Sequence, residues 1–301
     1  MRKKNKRKNL GTSKFIFSML FPGIILILIF TYYPLIRGII MAFQSYTLWD
    51  ISKISFIGLD NFKAVIKDPY FYQTIINTLL WVFVSLFFQF TLGFAVALLL
   101  NKKFKGRGIY EGLVFFPWAI SGFMVGLIWR WLLNGQIGVI NDLLIRFGLI
   151  KVPIGFLSTP GLSIASAIMA NVWYGIPFFA LMIMAALQSV PNDLYEAADI
   201  DGASSRYKFL NVTVPYIKPV LILTVLLRVI WILNFPDLIY SMTNGGPAGS
   251  SHILTTYMLN MLIFDQDYGK ASAVGVIIIA VLTSYTIFYL MVTRFEKSGD
   301  F

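Results

Sequence analysis

Five stretches of the chain, residues 15–36, 75–100, 112–129, 162–190 and 271–293, are apolar runs without a single charged residue. Each is close to or above the roughly 20 residues that a helix needs to cross a bilayer. A sixth run, 219–240, is interrupted by Arg228 and Asp237. A helix satisfies its own backbone hydrogen bonds, as hydrocarbon requires, so the pattern predicts an all-α polytopic protein with six transmembrane helices. Between the runs the spacing changes. Ile140, Leu143, Leu144 and Phe147 recur every three to four residues with Asn141, Asp142 and Arg146 opposite, which predicts a short amphipathic helix on the outer surface. Asp60 is placed to cap another short helix carrying Phe62, Val65 and Ile66.

Charge orients these spans. Arg2, Lys3, Lys4, Lys6, Arg7 and Lys8 precede the first run in the manner of a signal peptide. That run is too long, and no small-residue cleavage site follows, so it reads as a retained span. With six spans both termini share a side. That side carries 16 basic residues against six in the opposite loops, while Arg37, Arg130 and Arg228 complete the 25. The positive-inside rule then places both termini in the cytoplasm. The expected organisation is a basic cytoplasmic tail (1–14), a six-helix membrane domain (15–293) with a cytoplasmic loop at 190–218, and a short cytoplasmic tail (294–301).

Composition narrows the classes. A chain of 301 residues, 57% hydrophobic and 13% charged, with a mean hydropathy of +0.74, cannot cover a water-soluble globule with polar surface. Its net charge of +11 reports orientation and anionic lipid headgroups, with no nucleic acid as partner. No cysteine is present and His252 is the single histidine, which excludes disulfides, cysteine-based zinc sites and thiol catalysis. His252 reads as an exposed polar residue of an outward loop. The one Gly-Lys pair, Gly269 and Lys270, is followed by Ala271, so no phosphate-binding G-x-x-x-x-G-K-[ST] occurs. The expectation is a non-enzymatic chain without cofactor or metal. An ion-coupled transporter would want intramembrane carboxylates and inverted repeats, and Asp237 is the one carboxylate inside a span.

The cytoplasmic loop, residues 191–219, reads PNDLYEAADIDGASSRYKFLNVTVPYIKP. Pro191 turns the chain, and Asp193 with Glu196 has the spacing of a capping box. Leu194, Ala197 and Ala198 give a smooth apolar face. Gly202 supplies a break. Tyr207, Phe209 and Leu210 begin a second short stretch that Pro215 and Pro219 end before the fifth span. By periodicity alone this is an interfacial helix-turn-helix.

The same residues resemble the EAA motif of ABC importer permeases. Glu196, Ala197 and Ala198, three residues, Gly202, nine residues, then Val212, Thr213, Val214 and Pro215 follow its spacing, with Val212 and Val214 where the family has Ile and Leu. The resemblance implies the type I permease fold and a coupling helix that docks on an ATPase subunit, with Glu196, Ala197, Ala198, Asp201, Gly202 and Pro215 as coupling residues. Gly58 to Phe62, Asn77 with Thr78, Trp173, Pro177 and Phe178, and Thr243 with Gly245, Gly246 and Pro247 are similar to the carbohydrate-type permeases of the maltose/glycerol-phosphate group, first subunit of the usual pair. Implied partners are a second, distinct permease, two cytoplasmic ATPase subunits that bind the ATP, and an extracytoplasmic binding protein. The implied cargo is a sugar, an oligosaccharide or a polyol phosphate, and the implied location a bacterial-type inner membrane.

Polar groups inside the bilayer are costly, so each is a candidate for the substrate pathway. Arg228 either pairs with a carboxylate or holds substrate, and Asn234 either bonds a sugar hydroxyl or a neighbouring helix. Asn171, Trp173 and Tyr174 form a second polar-aromatic cluster, whose alternative role is helix packing.

Overall fold

The computed structural model describes residues 2–293, with side chains from Lys14 onward; the predicted tail 294–301 lies outside the described residues. The chain forms two units, one of residues up to 65 together with 261–277, the other of residues 66–260 together with those from 278.

In the first unit, α1 (Arg2–Ile27) passes through a π turn (Leu28–Tyr32) into α2 (Tyr33–Met41). Lys14–Met41 forms one apolar span. Pro34 has no N–H to give the preceding turn, and the widened π turn carries the helix past it. Two short antiparallel strands, β1 (Gln44–Ser45) and β2 (Ser55–Phe56), pair Gln44 with Phe56. Asn61, at the start of α3 (Asp60–Lys67), donates from its Nδ2 to Ala42 O (3.0 Å) and Gln44 O (2.8 Å), tying α3 to the end of α2. Gly269 sits against that amide, where a Cβ would collide with it.

The second unit is a helical bundle. Its centre is α4 (Phe71–Leu100), 30 residues and so about 45 Å long. The third predicted span, 112–129, is not one helix. α5 (Arg107–Phe115) runs into a 3-10 turn (Phe116–Ala119), and α6 (Gly122–Leu132) leaves at 100°. Pro117 ends the first half, and Ser121 restarts the chain as an N-cap whose Oγ accepts from Met124 N at 3.4 Å. The described residues thus hold five segments long and apolar enough to cross a membrane, or six if this bent pair is one span.

The predicted outer helix is α7 (Val139–Arg146). Asn141 departs from its expected polar face. It is buried, and its amide exchanges hydrogen bonds with the backbone N–H (2.9 Å) and C=O (2.9 Å) of Ile154, fastening the loop that follows. α8 (Leu162–Gln188) lies along α4 in the same direction, with Gln89 level with Asn171 and Gly93 level with Phe179 and Ala180. Ser163, Ser166, Ala167 and Ala170 give α8 a small-residue face that allows the close approach.

After Pro191 come α9 (Asn192–Ile200), α10 (Ser205–Lys208), a π turn (Phe209–Thr213) and α11 (Val214–Leu233). Pro215 and Pro219 therefore do not end the second stretch ahead of the span. Pro215 comes just after the π turn, whose widened ring accommodates its missing N–H, and Pro219 is carried inside the helix, so Ser205–Met242 counts as one span. α12 (Asp237–Met242), α13 (Leu254–Ile263) and α14 (Tyr268–Thr293) complete the chain. Trp81 on α4 donates to Ile232 O on α11 at 2.8 Å, and Tyr289 on α14 donates to Ile222 O at 3.0 Å.

Candidate functional site

The 191–219 loop is built as two arms about Gly202, whose φ of +72° places it in the left-handed region that suits glycine. The capping box does not form. Pro191 is the N-cap of α9, so Asp193 lies inside the first turn and no side chain caps the helix. Leu194, Ala197, Ala198, Asp201 and Gly202 wall a groove of about 690 Å³ with Ala203, Ser204, Tyr207, Asn211 and Val212 of the second arm. Glu196 stands exposed on α9 outside that lining, and Pro215 lies beyond it in α11. Small side chains on both walls leave the backbones open to close approach by another helix.

Within the bundle, Arg228 is only 5% exposed. Its partner is not a carboxylate. Nε donates to Gln89 Oε1 on α4 at 2.7 Å, and the guanidinium lies 5.4 Å above the Phe178 ring. Gln89 in turn donates from Nε2 to Asn171 O at 2.8 Å, linking α4, α8 and α11. Gly175 makes room for this bridge, since a Cβ there would overlap both the Gln89 amide and the Arg228 guanidinium. Asn171 is fully buried, and among the described residues neither of its amide atoms finds a partner.

Arg228 also lines a cavity of about 280 Å³ with Tyr174, Asn234, Trp118, Trp231, Ile232 and Phe235. Three of the predicted pathway residues thus meet there, Tyr174, Arg228 and Asn234. Two do not. Trp173 packs edge-on against Trp129 at 6.0 Å, and Asn171 sits behind Gln89. The Tyr174 and Phe235 rings stack at 5.3 Å, 6° from parallel. Asn234 spends its Nδ2 on Ile230 O (3.0 Å) and keeps its side chain exposed.

Residues 89–298 match the family described as binding-protein-dependent transport system inner membrane component. A relative from Thermococcus litoralis, named trehalose/maltose transport system permease protein MalF, is 35% identical over 283 residues, covering 93% of each chain. The chain belongs to this family. A sulfoquinovosyl glycerol transport system permease protein, SmoG of Agrobacterium fabrum, is 33% identical over 276 residues, 92% of this chain and 89% of that one. The crystal structure of a bacterial ABC transporter involved in import of the acidic polysaccharide alginate has a chain 27% identical, with a TM-score of 0.82, covering 96% of this chain and 98% of that one. The protein is a multi-pass inner-membrane permease of a binding-protein-dependent ABC importer.

Several residues of this permease were not marked by its sequence. Gln89 is one amide in a long apolar run, and Trp118, Trp231 and Phe235 carry no signal that separates a pocket from lipid. His252 was expected exposed and is buried. Its Nδ1 lies 3.2 Å from Thr256 Oγ1 and its Nε2 3.1 Å from Asn260 Nδ2, and burial pulls its pKa down to about 4. Gly245, at φ +79°, lies flat on the imidazole where any Cβ would overlap the ring. Asn77 donates to Ser250 O (2.9 Å) and His252 O (3.1 Å), and Thr78 Oγ1 accepts from Leu254 N (2.9 Å). The Asn-Thr pair at the head of α4 therefore holds the Gly-Gly-Pro loop.

Proposed function

We propose that this permease carries a sugar or oligosaccharide, handed over by an extracytoplasmic binding protein, through the aromatic cavity around Trp231. Its movement is alternating access, driven by two ATPase subunits that bind the ATP and dock on the groove of the 191–219 loop. A second, distinct permease supplies the other half of the pathway, and both termini face the cytoplasm. The observation that carries the reading is the cavity itself. Aromatic faces stack on the apolar faces of sugar rings while Arg228 and Asn234 meet hydroxyls, the division between apolar walls and a few placed polar groups expected of a small-molecule site. The trehalose/maltose, sulfoquinovosyl glycerol and alginate names of its relatives support the carbohydrate class. The guanidinium on the cavity wall favours, as a second reading, an acidic sugar or a polyol phosphate.

The test is uptake in reconstituted vesicles containing both permeases, the ATPase and the binding protein. Uptake requires ATP on the cytoplasmic side and the binding protein, and Ala198→Asp abolishes ATPase co-purification or substrate-stimulated hydrolysis. Uptake by this chain alone under a proton gradient would refute the reading. Competition between neutral and phosphorylated or acidic sugars separates the two cargo classes.

A further inference from the structure

Gly202 is the turn between the arms: it is glycine at positive φ, nothing stands within 4 Å of where a Cβ would be, and Ala203 N donates across it to Ala198 O at 2.9 Å. That backbone bond closes the end of α9 but does not reach the second arm, which begins at Ser205. Two ties cross the turn. The Tyr195 hydroxyl lies 2.8 Å from Thr213 Oγ1, and Lys208 Nζ donates to Asp199 Oδ1 at 2.6 Å. Thr213 Oγ1 also lies 3.4 Å from Lys208 O, five residues back at the end of α10. The ties sit at two heights, three and seven residues before the turn, so together they resist both opening and twisting.

The inner sides of both arms are anchored. The Tyr195 ring packs against the buried cluster shared by α4, α8 and α11. Phe209 of the second arm sets its ring edge-on to Phe94 of α4 at 6.2 Å. The groove between the arms faces the other way, with the small side chains of α9 on one wall.

We infer that Tyr195 and Thr213, with the Asp199–Lys208 pair as a second tie, are positioning residues that hold the arms at a fixed spacing. A push on α9 then reaches α4, α8 and α11 as one displacement and is not absorbed by bending at Gly202. This rests on the reading of the groove as the ATPase docking surface. The Asp199–Lys208 pair is the weaker tie because Asp199 is largely exposed and screened.

The experiment uses the whole transporter in vesicles and measures ATPase co-purification and substrate moved per ATP hydrolysed. Tyr195→Phe keeps the ring and removes the bond; Thr213→Val removes it from the other side. Both are expected to retain the ATPase at wild-type stoichiometry while substrate per ATP falls about two- to tenfold, the range that one net hydrogen bond sets on an equilibrium. Asp199→Lys and Lys208→Asp each lower the ratio less, and the double exchange restores it. An unchanged ratio in both hydrogen-bond variants overturns the inference. So does loss of the ATPase from Tyr195→Phe, which would make Tyr195 a contact residue. Aggregation of Tyr195→Phe leaves Thr213→Val to decide by the same outcomes. Retained ATPase and wild-type coupling in Ala198→Asp would instead sink the docking reading beneath it.

Discussion

Replacing Gln89 by Leu keeps the bulk of the side chain and removes two interhelical hydrogen bonds. One is to a cation. Arg228, 5% exposed, would lose the acceptor 2.7 Å from its Nε and retain the Phe178 face. A hydrogen bond to a charged group contributes about 1.5–3 kcal/mol. The second bond, to Asn171 O at 2.8 Å, is neutral and between membrane helices, where measured values average about 0.6 kcal/mol. The expected loss is therefore about 2–4 kcal/mol. Reversible SDS titration of the purified permease in mixed micelles measures it, with tryptophan fluorescence as signal, because Trp118 and Trp231 line the cavity beside Arg228. Arg228→Met in the Gln89→Leu background removes the stranded charge, so the double variant should be less destabilised than the two singles added together, by about 1.5 kcal/mol or more. A loss under about 0.5 kcal/mol for Gln89→Leu, or additivity of the pair within about that margin, refutes the bridge.

Asn77→Ala leaves the carbonyls of Ser250 and His252 without their shared donor and should destabilise the fold by about 1–3 kcal/mol, with faster amide exchange confined to residues 244–252. His252 is neutral in the fold with a pKa near 4 against an ordinary 6.5, so the unfolded chain binds the extra proton between those values. Stability is full above pH 6.5 and is lost as pH falls towards 4, by about 3 kcal/mol at 1.36 kcal/mol per pH unit. His252→Gln should flatten that limb of a Tm-against-pH curve; an unchanged slope would assign the acid sensitivity elsewhere. Gly245→Ala meets both a φ of +79° and the imidazole ring, and should lower expression of folded permease far more than Gly202→Ala, whose surroundings are open, as size-exclusion of the detergent extract will measure.

Much of the architecture was readable because hydrocarbon leaves few alternatives. Runs such as 75–100 have to be helices, and α4 starts only four residues earlier. The loop at 191–219 was readable for another reason: its turn depends on local chemistry, and Gly202 adopts the conformation that chemistry favours. What was hidden is which face of each span looks inward. Lipid and bundle interior both accept Phe and Leu, so Trp118 and Trp231 could not be told from lipid-facing rings. Gln89 and Arg228 are 139 residues apart in the chain, and only their packing makes them partners. Hydropathy also averaged over the break in the third span, although Pro117 and Ser121 are the residues that make it. The burial of His252 follows from Gly245 lying against it, a tertiary fact that a polar residue in a loop does not announce.

That break has a mechanical consequence. A continuous helix acts as a rod, and tilting one end tilts the other. Two short helices meeting at 100° form an elbow whose halves are held separately, α6 against α12 where Gly126 meets Ser241 and α5 against α8 where Arg107 Nη2 reaches Met184 Sδ at 3.7 Å, so a tilt of one half need not be copied by the other. Trp118 sits at the elbow and on the cavity wall. A small rotation there would turn an aromatic face towards or away from the cavity without requiring the α6 end of the span to move.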